Sequence, residues 1–216
     1  MKISYAITVC NEFIEIQRLI TFLLQHKRPQ DEIVVQMDLT VDDMKNHPED
    51  KSQVHVYLMK HNTQGNIRVA FYPLNNDFGA FKNHLTQHCT GDYIFQIDAD
   101  EIPNELFIKH LPALLEMNPD NDVYLVPRIN TVEGLTPDHI KQWGWNVNAA
   151  GWVNWPDYQW RIWKNKSEIK WINKVHERLD GFTSYSMLPA DTEAFSLYHP
   201  KTIDRQVKQN EYYESL

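Results

Sequence analysis

Glycine is scarce in this chain, with seven in 216 residues, and none falls in a phosphate-cradling loop. Neither a P-loop nor a dinucleotide-binding fingerprint is present, so any phosphate must be held by side chains or a metal. Cysteine is scarcer still. Cys10 and Cys89 both sit in apolar surroundings, which excludes a disulfide framework and a thiolate metal site and implies a reducing, cytoplasmic setting. Basic residues are outnumbered 21 to 29, a net charge of −8 that argues against nucleic-acid binding. No apolar run approaches the roughly 18 residues that span a bilayer, so any membrane contact is expected to be peripheral. The N-terminal run Ile3–Cys10 is too short and too polar for a signal peptide and reads as a first strand. Repeats and low-complexity tracts are absent, and no serine, cysteine or lysine stands beside a base as an activated nucleophile.

What is present is concentrated in residues 92–101, DYIFQIDADE. Tyr93, Ile94, Phe95 and Ile97 form a short apolar strand that ends in Asp98, Asp100 and Glu101. Two carboxylates one residue apart at a strand's carboxyl end suit a hard divalent cation, Mg²⁺ or Mn²⁺, shared with substrate phosphates. In open α/β sheets ligands bind at that end of the strands. A solvated acidic turn is the bland alternative.

The first 127 residues alternate strand and helix patterns. Ile3–Val9, Glu32–Met37, Asn66–Leu74, Asp92–Asp98 and Val123–Val126 read as strands. Phe13, Ile16, Leu19, Ile20, Leu23 and Leu24 recur at helical spacing before Pro29, Phe78–Cys89 reads as a helix, and another is expected to start near Pro103. An irregular polar stretch, Thr40 to Ser52, precedes the apolar segment Val54–Met59. This alternation predicts one α/β domain with a mostly parallel central sheet flanked by helices. After Pro127 the character changes. All seven tryptophans lie between Trp143 and Trp171, suited either to an aromatic core or to a floor on which sugar faces stack. Glu133–Asn148 reads as a mobile loop able to close over a ligand, and Ile203–Tyr213 as a polar amphipathic helix.

Five ordered blocks carry a resemblance: ITVCNE (7–12), EIVVQMD (32–38), DFGAFKNHLTQHCTGDYIFQIDADE (77–101), DYQWRIWKN (157–165) and KVHERL (174–179). They are similar to the family 2 glycosyltransferases, inverting nucleotide-sugar enzymes of the GT-A fold, and most of all to small bacterial members that build the lipopolysaccharide core. Arg161-Ile162-Trp163 and Val175-His176 also resemble a stretch of the polypeptide N-acetylgalactosaminyltransferases. The resemblance implies a nucleotide-binding half (1–127) and an acceptor half (128–216). It implies that Asp98 and Asp100 are the D-x-D pair, with Asp100 on the metal and Asp98 on ribose or metal, and that His176 completes the metal site, His199 being its rival. Thr8, Asn11 and Glu12 correspond to the nucleoside pocket, Asp38 to a carboxylate on the base, and Lys82 and Asn83 to a pair near the diphosphate. QMDLT lacks the glycine that many relatives carry after this aspartate. The implied donor is a nucleoside diphosphate sugar, with uridine the usual base, and the implied acceptor a glycan or lipid-linked glycan. The chain is short for the family, which leaves room for a partner subunit at the acceptor site.

The chemistry requires charge stabilisation on a leaving diphosphate and a carboxylate to take the acceptor's proton. Asp157, in the tryptophan-rich segment where desolvation is expected to lift its pKa, is the first candidate base, and Glu177 the second. Three other readings stay open: a sugar-nucleotide pyrophosphorylase or metal-dependent phosphohydrolase, a non-catalytic carbohydrate-binding protein, and a transferase that has lost its base.

Overall fold

The computed structural model describes residues 1–40 and 48–214. Residues 1–40 open with β1 (Ile3–Val9), α1 (Phe13–His26) and β2 (Glu32–Asp38). There follow α2 (Pro48–Thr63), β3 (Arg68–Tyr72), α3 (Phe78–Gln87), β4 (Tyr93–Asp98), β5 (Ile102–Pro103) and α4 (Glu105–Met117). The later part holds β6 (Val123–Glu133), α5 (Pro137–Trp143), β7 (Val153–Lys164), β8 (Lys170–Ile172), β9 (Arg178–Asp180), β10 (Tyr185–Met187), β11 (Leu197–Thr202) and α6 (Ile203–Glu214).

One sheet runs β3-β2-β1-β4-β7-β6-β11-β5, with β10 beside β6, and β8–β9 form a separate ribbon. The β3-β2-β1-β4 part is parallel, and β7 enters antiparallel between β4 and β6. The pleat divides the core by alternate residues. Ile3, Tyr5, Ile7 and Val9 of β1, with Phe95 and Ile97 of β4, pack one face against Ile16, Leu19, Ile20 and Leu23 of α1 and Phe107 and Leu111 of α4. Ala6, Val34 and Ile94 face the other side, toward Leu85 of α3, Trp163 and Trp171. Trp163 and Trp171, edge to face at 5.5 Å between centroids, are thus core residues.

Several expectations shift. Val54–Met59 lies inside α2, which buries Val54 and Leu58 and exposes Val56. The i, i+4 pair decides for a helix where the V-x-V-x-L alternation mimics a strand. The irregular stretch Thr40–Ser52 is helical from Pro48, and its residues 41–47 lie outside the described residues. The helix expected near Pro103 starts at Glu105, capped by Asn104, whose side chain accepts from Leu106 N at 2.9 Å; Pro103 itself pairs with β11. The strand expected at Val123–Val126 runs on to Glu133, so Pro127 stands inside β6 and marks no break in the structure. Glu133–Asn148 carries α5, capped by Thr136 at its start and by left-handed Gly144 (φ 63°) at its end.

Candidate active site

The carboxyl ends of β1, β2 and β4 open onto a cavity of about 660 Å³. Thr8 and Glu12, Asp38, and Asp98 and Asp100 line it from those three strands, and Lys82 enters from α3. The mixed half of the sheet supplies the opposite wall: Arg128 and Asn130 of β6, Asp157, Gln159 and Arg161 of β7, and His199 and Lys201 of β11. His176 and Glu177 close one side, and Gln206, Gln209 and Asn210 of α6 another.

Asp98 is fixed rather than free. Its Oδ1 accepts from Thr8 Oγ1 at 2.9 Å and its Oδ2 from Arg161 Nη2 at 2.6 Å, with Lys82 Nζ 4.0 Å away. Burial pushes its pKa up, but the charges of Arg161 and Lys82 and these hydrogen bonds outweigh it, so the net shift is well below the usual carboxylate range. Arg161 also donates to Glu101 Oε1 at 2.6 Å, and Glu101 has no exposed surface. Lys82 donates to Glu177 Oε1 at 2.6 Å and lies over the Trp171 ring at 4.6 Å.

Asp38 shows a different pattern. Its Oδ1 accepts from Thr40 N, Thr40 Oγ1 and Leu74 N at 2.6–2.8 Å, which folds the segment after β2. Oδ2, buried, has no hydrogen-bond partner among the described residues and is ion-paired with Lys51 Nζ at 3.8 Å. A buried acceptor left over at a cavity wall is a ready partner for a ligand N–H.

Asp157 departs from expectation. Burial raises its pKa, but Arg128 and the hydrogen bonds from Asn130, Arg128 and Gln159 more than reverse that, and the net shift is downward. Its Oδ2 accepts from Arg128 Nε (2.9 Å) and Nη2 (2.7 Å) and from Asn130 Nδ2 (2.8 Å), while Oδ1 accepts from Gln159 at 2.6 Å. The desolvation expected from the tryptophans is real; the ion pair is stronger.

A match to the glycosyl transferase family 2 model extends over residues 4–192. The chain belongs to glycosyl transferase family 2. Among solved structures it is similar to S. aureus TarS, with a TM-score of 0.60 and 16% identity over 93% of this chain and 37% of that one. It is also similar to TarS 1–349 in complex with UDP-GlcNAc, with a TM-score of 0.59 and 17% identity over 93% of this chain and 59% of that one. The shared architecture is the GT-A fold. The chain spans between about a third and three fifths of the length of these relatives. No curated protein sequence matches it.

This family 2 chain brings Thr8, Glu12, Asp38, Lys82, Asp98, Asp100, Asp157, His176 and Glu177 to one cavity. Asn11 and Asn83 are not in its wall. Asn83 is consumed elsewhere, donating to Trp171 O (2.8 Å) and accepting from Trp171 N (2.9 Å), which ties α3 to β8. Glu12 folds back onto the backbone N–H groups of Cys10 and Asn11; burial and the Asp100 charge raise its pKa.

His199 is seated against Asp100. Asn130 donates through its amide to Asp157, so its Oδ1 must accept from His199 Nδ1, 2.7 Å away. That leaves His199 Nε2 directed at Asp100 Oδ2, at 3.2 Å. The same Oδ2 is also 3.2 Å from Arg205 Nη2, so Asp100 already has a cationic partner on its other side. An imidazole whose far nitrogen is fixed by an amide oxygen is also the usual arrangement of a metal-binding histidine. No three metal-binding side chains converge among the described residues. Asp100 and His199 nonetheless fit a divalent cation that takes its remaining ligands from phosphate and water.

Sequence reading missed Arg128, Asn130, Gln159 and Lys201, and placed Arg161 in a resembling stretch without giving it a role in the site. The signal was there in period two: Arg128 and Asn130 alternate along β6, and Asp157, Gln159 and Arg161 along β7. Arg128 and Asp157 are direct cross-strand partners.

Proposed function

We propose that this chain transfers a sugar from a nucleoside diphosphate sugar, with uridine as the base, to a hydroxyl of a glycan or lipid-linked glycan, with inversion and with help from a divalent cation. The observation that carries the reading is the cavity at the carboxyl ends of β1, β2 and β4. It joins a leftover carboxylate acceptor, Asp38 Oδ2, to the cationic and metal-binding groups a diphosphate requires. The UDP-GlcNAc complex of TarS, a structure of the same fold, supports a UDP-sugar as donor.

In this reading Asp38 Oδ2 accepts an N–H of the base, Thr8 and Glu12 shape the nucleoside side, and Lys82 offsets charge on the diphosphate. Asn83 holds the backbone of β8 in place, and Asn11 sits just outside the cavity wall, at the nucleoside side. Asp100 and His199 would hold Mn²⁺ or Mg²⁺, with His176 at the same cavity and Asp98 oriented toward ribose by Arg161. The cation, when bound, supplies Lewis-acid stabilisation of the leaving diphosphate. Asp157 takes the proton as the acceptor oxygen bonds to the anomeric carbon and the bond from that carbon to the phosphate oxygen breaks, releasing nucleoside diphosphate. Arg128 keeps Asp157 ionised and aimed. Glu177, held by Lys82, is the second candidate. Residues 1–127 thus serve mainly the donor, and β6, β7 and β11 the reacting end and the acceptor.

Calorimetric titration of UDP, GDP, ADP and dTDP, with Mn²⁺ and again with EDTA, tests this. The expected result is metal-dependent binding of UDP that is lost in Asp100→Ala. Absence of binding to every nucleotide under both conditions would overturn the reading.

A further inference from the structure

The seven tryptophans divide by environment. Trp163 and Trp171 are core, and Trp160 packs on Phe182. Trp143, Trp145, Trp152 and Trp155 lie outside the core clusters and are partly exposed. They occupy α5's last residue and a hairpin closed by the Val147–Val153 bridge and by Asn154 N donating to Asn146 O at 2.7 Å. The rings meet in two pairs: Trp143 with Trp145 at 4.7 Å between centroids, and Trp152 with Trp155 at 4.8 Å. Trp145 lines the cavity, and Trp155 is two residues from Asp157 along β7, so each ring pair has a member at or beside the place where an acceptor must enter.

Neither core cluster includes these rings, and a group of partly exposed aromatic rings beside a cavity marks an interaction surface. Among them in sequence stand the amides Asn146, Asn148 and Asn154, together with the aliphatic Val147, Ala149, Ala150 and Val153. A surface alternating ring faces with carboxamides suits a ligand with apolar C–H faces and hydroxyl edges, which is a pyranose. A protein or lipid partner would call for a broader unbroken apolar patch.

We infer that the Trp143–Trp155 hairpin is a stacking platform for an oligosaccharide, holding acceptor sugar units beyond the one that receives the new bond. Two ring pairs imply that more than one sugar unit is held, so binding strengthens with chain length. The platform rests on the transferase reading only for its role as an acceptor subsite; sugar binding itself needs neither donor nor metal.

The test is tryptophan-fluorescence titration with mono-, di- and trisaccharides of the gluco-, galacto-, manno- and N-acetylglucosamine series. It is run in EDTA on wild type, Trp152→Ala, Trp143→Ala and Trp152→Phe. The expected result is binding of at least one series that tightens from mono- to trisaccharide and weakens about tenfold, ~1.4 kcal/mol, in each alanine variant. Trp152→Phe, which keeps a ring, should recover most of it. UDP binding in Mn²⁺ should be unchanged in all three, because neither Trp143 nor Trp152 lines the cavity. No saccharide binding, or equal affinity in wild type and the alanine variants, would overturn the platform. Saccharide binding without any nucleotide binding would keep the platform and defeat the transferase.

Discussion

Replacing Arg161 by methionine removes the charge around which the centre of the site is organised. The guanidinium is 3% exposed, and its Nη2 donates at 2.6 Å both to Asp98 and to Glu101, a carboxylate with no exposed surface. Methionine fills similar volume, so the change is mainly electrostatic. Removing one partner of a buried ion pair costs about 3–5 kcal/mol, because the remaining charge is left in a dry setting. Here compensation is partial. Glu101 keeps Arg128 at 3.3 Å and accepts from Asp98 N at 3.1 Å, and Asp98 keeps Thr8. The low end, about 3 kcal/mol, is therefore expected. For a chain of this size that lowers Tm by about 6–12 °C. Urea unfolding followed by circular dichroism, in EDTA, measures it. The double variant Arg161→Met with Glu101→Gln should recover at least about 1 kcal/mol relative to the sum of the single changes, since the two residues share one interaction. A single-variant loss under about 1 kcal/mol, or strict additivity, would refute the argument that Arg161 offsets these two carboxylates.

Asp38→Asn replaces the leftover acceptor with a donor, and UDP affinity measured by calorimetry should fall about tenfold or more while the fold persists. Gly79→Ala should destabilise the chain by about 1–3 kcal/mol, because a Cβ there would lie 2.5 Å from Asn173 O; weaker UDP binding should accompany the loss as the segment bearing His176 and Glu177 shifts. Glu32 predicts a pH effect away from the site. Burial raises its pKa, but hydrogen bonds from Lys2, Ser4 and Thr90 bring it down to about 2. A folded pKa below the unfolded one means that its stabilisation is complete above about 4.5 and disappears as pH falls toward 2. After allowance for solvent screening this is about 1 kcal/mol. The stability gap between wild type and Glu32→Gln should therefore be present at pH 6, narrow below about pH 4.5 and close only as pH falls to about 2 in denaturant titrations. Asn83→Ala should lower Tm without changing the metal dependence of UDP binding, because its amide serves Trp171's backbone.

The amino-acid sequence by itself determined the alternation of strands and helices up to β4, the carboxylate pair at that strand's end, and the family. These are local patterns: the apolar face of α1, the continuous apolar β2, and Asp98 and Asp100 set by the pleat and the turn after it. It left Val54–Met59 without an element because alternation and helical spacing coincide over six residues, and it ended β6 early because polar Arg128 and Asn130 look like a loop until a cavity is known to lie beside them. Which charge meets which was decided only in three dimensions. The antiparallel entry of β7 between β4 and β6 puts Arg161 beside Asp98, 63 residues away, and Arg128 beside Asp157, 29 residues away. The same strand order brings His199 to Asp100 across 99 residues. Desolvation of Asp157 was legible in its tryptophan-rich surroundings, but the sign of its pKa shift depended on an arginine that only strand pairing could deliver.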